Sequence, residues 1–225
     1  MEMAKISSER ISNPYVIKCV LLGDPSVGKS TLLNILTNNR FDHQYEATIG
    51  IDFATKSYTL PNHNVKLQVW DTAGQERFRS IIRSYLRDVY IAFLVFDMSN
   101  RDSWEKLIDW KEELNKYVKY EKIPLIVLIG TKSDLKSQTV IVSEIQYRAS
   151  EWGCKYYIIS SKNPDAYDKI NSIFFNSATE FHQLILHKHK SHQEIPHGIY
   201  HKKADATYVL TDPDETIHNN FCCFQ

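Results

Sequence analysis

The chain has 225 residues, of which 43% are hydrophobic and 24% charged, with Lys+Arg and Asp+Glu balanced at 27 each. Those proportions exclude a wholly disordered, collagen-like or disulfide-knotted protein, and the length suits one core plus a tail. The balanced charge argues against nucleic-acid binding as the main activity, because proteins that neutralise many phosphates usually carry a basic excess.

Short β-rich runs alternate with helix-like segments. Val16–Leu22 reads as a strand ending at Gly23, and Lys29–Leu36 spaces its apolar residues for a helix. Asn38–Thr48 is polar and reads as a loop. Phe53–Leu60 and Val65–Asp71 alternate apolar and polar residues around Pro61-Asn62-His63-Asn64, which predicts an antiparallel hairpin. Ile91–Phe96 and Leu125–Gly130 are unbroken apolar runs, as in strands covered on both faces of a parallel sheet. Between them, Ser103–Tyr120 places Trp104, Leu107, Ile108, Leu114 and Val118 at helical spacing. Ser143–Trp152 predicts a shorter helix capped by Ser143, Tyr156–Ser160 a strand, and Ala166–His187 a long amphipathic helix. This alternation predicts an α/β fold of about six strands.

Periodicity stops near Lys190. Residues 1–13 read as a flexible N-terminus, 14–190 as the folded domain and 191–225 as a flexible tail. Six histidines between His182 and His201 read as a solvated helix end and linker, since no metal-binding spacing is present. No run of 18 apolar residues predicts a membrane span, and MEMAKISSERISNPY lacks the apolar region of a secretory signal. Cys19 and Cys154 read as small core residues. Cys222 and Cys223 are adjacent and no CxxC occurs, so a reducing, cytosolic compartment is expected.

The first chemical motif is Gly23-Asp24-Pro25-Ser26-Val27-Gly28-Lys29-Ser30, between a predicted strand and helix. It fits the G-x-x-x-x-G-K-[ST] pattern, in which glycines turn N–H groups inward and a helix N-terminus holds anionic oxygens. Ser26, Val27, Gly28, Lys29, Ser30 and Thr31 are the candidate phosphate contacts. Lys29 can reach the β- and γ-phosphates, and the Ser30 hydroxyl can ligate Mg²⁺.

The loop alone leaves a GTPase, an ATPase and a nucleoside kinase open. Asp71 ends a strand, where it can hold Mg²⁺ through water, and the Gly74 N–H can meet a third phosphate. The Thr48 hydroxyl can complete the metal shell. Asp134, in Thr131-Lys132-Ser133-Asp134, can accept the two hydrogen bonds that guanine offers and adenine does not. Ser160-Ser161-Lys162 follows the last strand, where a backbone N–H can meet the guanine carbonyl.

With these residues in order, the chain resembles the Ras superfamily of small GTPases and, within it, the Rab family. The resemblance covers about residues 14–187 and rests on GDPSVGKS, ATIGIDF, KLQVWDTAGQERF, LVFDMSN, TKSD and SSK. Ile81–Asp88 with IDF is similar to the Golgi-associated branch. The resemblance implies a six-stranded, mostly parallel sheet flanked by helices. It implies Phe41 beside the guanine, Lys132 along its other side, and switches from about Arg40 to Ile51 and from Asp71 to about Arg87. Phe53, Trp70 and Tyr85 match an aromatic triad that presents effector surfaces; core packing is the other reading of these three.

Two positions depart from the family pattern. Thr131 stands where Asn is usual; it keeps a hydroxyl but loses the amide that braces the phosphate loop, and binding is expected to survive. Pro25 has a fixed φ and no N–H. The expected activity is Mg²⁺-dependent GTP hydrolysis, with Gln75 orienting water and Lys29 neutralising charge. It is slow without an activating protein, because Arg77 and Arg79 read as a solvated face. A nucleotide-locked interaction module with negligible hydrolysis is the alternative; a nucleoside kinase would need an arginine-rich lid that is not visible.

Cys222-Cys223-Phe224-Gln225 resembles a di-cysteine prenylation end. From Lys188 onward four Lys/Arg stand against five Asp/Glu, so no polybasic patch assists, and both lipid chains are expected to be needed. Expected partners are effectors, an exchange factor, a GTPase-activating protein, an escort protein and a prenyl transferase, with the protein itself a monomer. It is expected to cycle from the cytoplasm to the cytosolic face of Golgi or endosomal vesicles.

Overall fold

Six strands form one sheet, in the order Ile51–Thr59, Asn64–Thr72, Tyr15–Leu22, Ile91–Asp97, Leu125–Thr131 and Lys155–Ile158. The computed structural model describes residues 14–39, 41, 51–61, 63–72, 85–117, 124–190, 201–202 and 208–209. The strands are β1 (Tyr15–Leu22), β2 (Ile51–Thr59), β3 (Asn64–Thr72), β4 (Ile91–Asp97), β5 (Leu125–Thr131) and β6 (Lys155–Ile158). β2 and β3 pair antiparallel, with Phe53 opposite Trp70, and the other pairings are parallel. The helices are α1 (Lys29–Asn38), α2 (Arg101–Glu105), α3 (Leu107–Asn115), α4 (Val142–Glu151) and α5 (Ala166–Lys190).

Side chains of a strand alternate between faces. Ile91, Phe93 and Val95 of β4 therefore join Ile17, Leu32, Leu36, Phe174 and Phe181 in a core beneath α1 and α5. Ala92, Leu94 and Phe96 join Val20, Trp104, Trp110 and Ile145 in a second core beneath α2, α3 and α4. Both faces of β4 are covered, which is why its sequence shows no alternation. Cys19 is buried and Cys154 half-buried against the second core.

Several local expectations are corrected. The helical run after Ser103 begins earlier, at Arg101, where the Asn100 side chain accepts from the Ser103 N–H at 3.3 Å. It is two helices, because Lys106 at φ −67° and ψ −5° departs from the helical ψ of about −42°. Ser143 does not cap α4. The Glu144 carboxylate accepts the Ile141 N–H at 3.3 Å, and the helix starts at Val142. β6 spans Lys155–Ile158, short of the expected Ser160. α1 continues through Asn38, a residue assigned to the loop, and Asn39 ends it in the left-handed region at φ 51°.

His182 is not at a solvated helix end. α5 runs past the β2–β3 turn and buries this imidazole to 8% exposure against Tyr15 and His63. Farther on, His201–Lys202 and Tyr208–Val209 pair as β7 and β8 of a separate two-stranded sheet. No described helix is long and apolar enough to cross a membrane.

Candidate nucleotide site

The site lies beyond the C-terminal ends of β1, β3, β4 and β5, where parallel strands hand over to loops. In open α/β sheets this edge is the usual ligand crevice. β1 stops at Leu22, and Gly23 at φ +149° turns the chain so closely under β4 that a Cβ there would lie 2.1 Å from the Val95 carbonyl oxygen. Ser26 and Gly28 also have positive φ, at 59° and 100°. The loop then enters α1, whose first turn carries no acidic residue, so its N–H groups and dipole favour an anion.

Lys29 opens that helix and is only 5% exposed. Its Nζ donates to the carbonyl oxygens of Gly23 at 2.9 Å and Asp24 at 2.8 Å. Burial lowers its pKa to about 8, while the carboxylates of Asp71 and Asp24 pull the other way. A phosphate beside it would supply the anionic partner that this buried ammonium favours.

The Ser30 hydroxyl donates to Asp71 Oδ2 across two elements 41 residues apart in sequence. Asp71 is 1% exposed at the end of β3. A hydroxyl and a carboxylate are hard oxygen donors, the kind Mg²⁺ takes together with water and phosphate oxygens. These residues fit that ion.

A cavity of about 440 Å³ opens between the loops, within the ~300–1,000 Å³ range of small-molecule sites. Ser26, Gly28 and Thr31 line its phosphate-loop side, Phe41 one flank, and Thr131, Lys132, Asp134, Ser161 and Lys162 the other. Leu135 also lines it and was not anticipated, although it directly follows Asp134. Val27 is buried and Ser160 is 3% exposed, and neither lines the cavity. Ser160 acts on Asp134 instead: its hydroxyl donates to Asp134 Oδ1 at 2.6 Å and accepts the Lys162 N–H at 3.2 Å. Lys162 Nζ stands 3.9 Å from Asp134 Oδ2.

Lys132, at φ 57°, extends its Nζ to 2.7 Å from Asp97 Oδ2. Burial tends to raise the Asp97 pKa, but hydrogen bonds from Lys132 and from the Ser99 N–H and hydroxyl outweigh it and hold this carboxylate below its ordinary range. The sequence reading missed Asp97; its signal was an acidic residue ending the apolar run of β4.

At Thr131 the hydroxyl that remains makes the link to the phosphate loop. Its Oγ1 lies 2.6 Å from the Val27 carbonyl oxygen and 3.0 Å from that of Phe96, so a hydroxyl alone ties β5 to the phosphate loop.

Phe53, Trp70 and Tyr85 form a continuous row, with ring centroids 5.0 Å and 4.9 Å apart. Phe53 is 48% exposed, and the other two are half-buried. The row is a surface feature with Trp70 reaching the second core. Thr48, Gly74, Gln75, Arg77, Arg79, Cys222 and Cys223 lie outside the described residues.

A family model described as "Ras family" matches residues 18–205. The Ras-related protein RABA4a of Arabidopsis thaliana is 34% identical over 218 residues, covering 93% of this chain and 92% of that protein. The matched span takes in all of the site residues described above and all of the six-stranded sheet except the first three residues of β1, so the chain belongs to the Ras family of small GTPases, in its Rab branch, and is a GTPase.

Proposed function

We propose that the protein is a GTP/GDP-dependent switch which hydrolyses GTP slowly and recruits effectors in intracellular vesicle traffic, with residues 14–190 as the switching domain. One observation carries the reading: a single cavity joins the phosphate loop to the Asp134 carboxylate, which Ser160 orients from behind. A carboxylate so held accepts the paired N–H donors of guanine and repels the acceptor pattern of adenine.

In the proposed mechanism, Ser26, Gly28 and Thr31 face the phosphates, Phe41 and Lys132 flank the base, and Ser161 and Lys162 close its far edge. Val27 contributes its main chain. Lys29 neutralises charge that develops on the transferred phosphoryl group, and Gln75 orients the attacking water. Ser30, Thr48 and Asp71, the last through water, would hold Mg²⁺, which supplies Lewis-acid stabilisation of the phosphate oxygens. A third phosphate adds contacts to Thr48 and Gly74. Its loss removes them, which biases the two switch segments between states that effectors distinguish.

Phe53, Trp70 and Tyr85 are the proposed effector row. Prenylation of Cys222 and Cys223, with an escort protein and prenyl transferase, would carry the monomer to Golgi or endosomal membranes; changing both to Ser should release it. Exchange factor and activating protein complete the cycle.

The test is to identify the nucleotide that co-purifies, compare GDP with ADP binding, and follow single-turnover GTP hydrolysis with Mg²⁺. Guanine preference and slow hydrolysis that drops in Gln75→Leu are expected. Preference for adenine overturns the base assignment, and equal rates in Gln75→Leu remove Gln75 from the chemistry.

A further inference from the structure

Asp24 joins the phosphate loop to the helices that follow β4. Its Oδ1 accepts the indole N–H of Trp110 at 3.0 Å, and its Oδ2 is 3.0 Å from Lys106 Nζ. These donors stand 86 and 82 residues away in sequence. Trp110 is 2% exposed, so its N–H is the one polar point of a core side chain and it is spent on this carboxylate. Lys106 sits at the break between α2 and α3, where its ψ of −5° interrupts the helix.

With one donor on each oxygen, the carboxylate cannot rotate without breaking a charge-assisted bond. Asp24 also precedes Pro25, which disfavours helical backbone angles at residue 24. Both ends of the residue are therefore constrained. The same residue's carbonyl oxygen, 2.8 Å from Lys29 Nζ, is one of the two acceptors that hold this ammonium.

We infer that Trp110 and Lys106 are positioning residues for Lys29, acting through Asp24: they clamp its carboxylate and so aim the carbonyl that receives the lysine. The inference rests on the reading of this loop as a nucleotide phosphate site. It makes the α2–α3 break a remote determinant of nucleotide retention.

The experiment measures release of fluorescently labelled GDP from the full chain with Mg²⁺. Trp110→Phe keeps most of the ring and removes the N–H; it should speed release about tenfold, the order expected for a lost bond to a charged group. Lys106→Ala, at a half-exposed side chain, should speed release about threefold. Lys106→Met, which keeps the aliphatic stem without the charge, should speed release as Lys106→Ala does, whereas Lys106→Arg should restore the wild-type rate, a pattern that a purely packing role for this contact would not produce.

Should Trp110→Phe fail to fold, the Lys106 variants decide the matter. Wild-type release rates in Trp110→Phe, Lys106→Ala and Lys106→Met overturn the inference alone. Absence of GDP binding by the wild type overturns the reading of the site, and the inference with it.

Discussion

The hydroxyl of Thr131 stands 2.6 Å from the carbonyl oxygen of Val27, so the last residue of β5 is hydrogen-bonded to the middle of the phosphate loop. Both residues are 1% exposed. A bond buried to this degree has no water to replace it. Thr131→Val keeps the branched shape and removes the donor, leaving the Val27 carbonyl unsatisfied. The expected loss is about 1–3 kcal/mol of folding stability, with faster nucleotide release. Chemical denaturation and GDP release measure the two effects; a variant unchanged in both would show that the brace is idle.

Lys29 is held by burial near a pKa of about 8 in the absence of phosphate. Its charge attracts phosphate only while protonated. GDP association should therefore be highest below that pH and fall as pH rises through it. Lys29→Met should lower affinity about 100-fold and abolish that alkaline dependence, at the scale of lost hydrogen bonds to a charged group. Titration calorimetry across pH 6.5 to about 9 reads both. A flat profile in the wild type would place the titration elsewhere.

His182 has its pKa lowered to about 4, first by burial and then by repulsion from His63. In the unfolded chain an imidazole titrates near 6.5. Between those values the unfolded state binds more protons, so stability is fully present above about pH 6.5 and declines as pH falls towards 4. Between pH 7 and 5 the loss from this group should reach about 2 kcal/mol. His182→Phe, which keeps an aromatic ring beside Tyr15 and His63, should remove that part of the decline. Urea denaturation at the two pH values gives the comparison, and an equal drop in both proteins would exclude His182 as its source.

Phe53 is nearly half exposed, with one face stacked on Trp70 across the β2–β3 pair at 27° between planes. Phe53→Ala loses a cross-strand pair while leaving both cores intact. Stability should fall by only about 0.5–1 kcal/mol. A thermal melt checks this, and a loss of several kcal/mol would mean that the ring belongs to the core after all. Binding of effectors, where the aromatic row is proposed to act, should suffer far more than the fold.

Much of the fold was legible because its signals are local. Apolar runs at 91–96 and 125–130 marked strands covered on both faces, and the spacing from Ala166 marked the long helix. Gly23 and Gly28 announced backbone angles that other residues resist. Errors gathered where a competing contact decided the outcome. Glu144 displaced Ser143 from the helix start, Lys106 broke a helix that periodicity had made continuous, and the β2–β3 turn covered His182.

The phosphate-loop motif, Asp134 and the pair Ser30 and Asp71 stand in the amino-acid order itself, since their residue types and spacings encode local geometry and chemistry. What tertiary structure alone decided is how those pieces hold one another: the Thr131 brace, the Ser160 bond behind Asp134, the Lys132–Asp97 pair and the clamp of Trp110 and Lys106 on Asp24. Apart from the short Ser160 and Lys132 links, the reason is distance along the chain. Hydrogen bonds between residues many tens of positions apart leave no periodicity in the sequence, because they depend on which strand ends the folded sheet sets side by side.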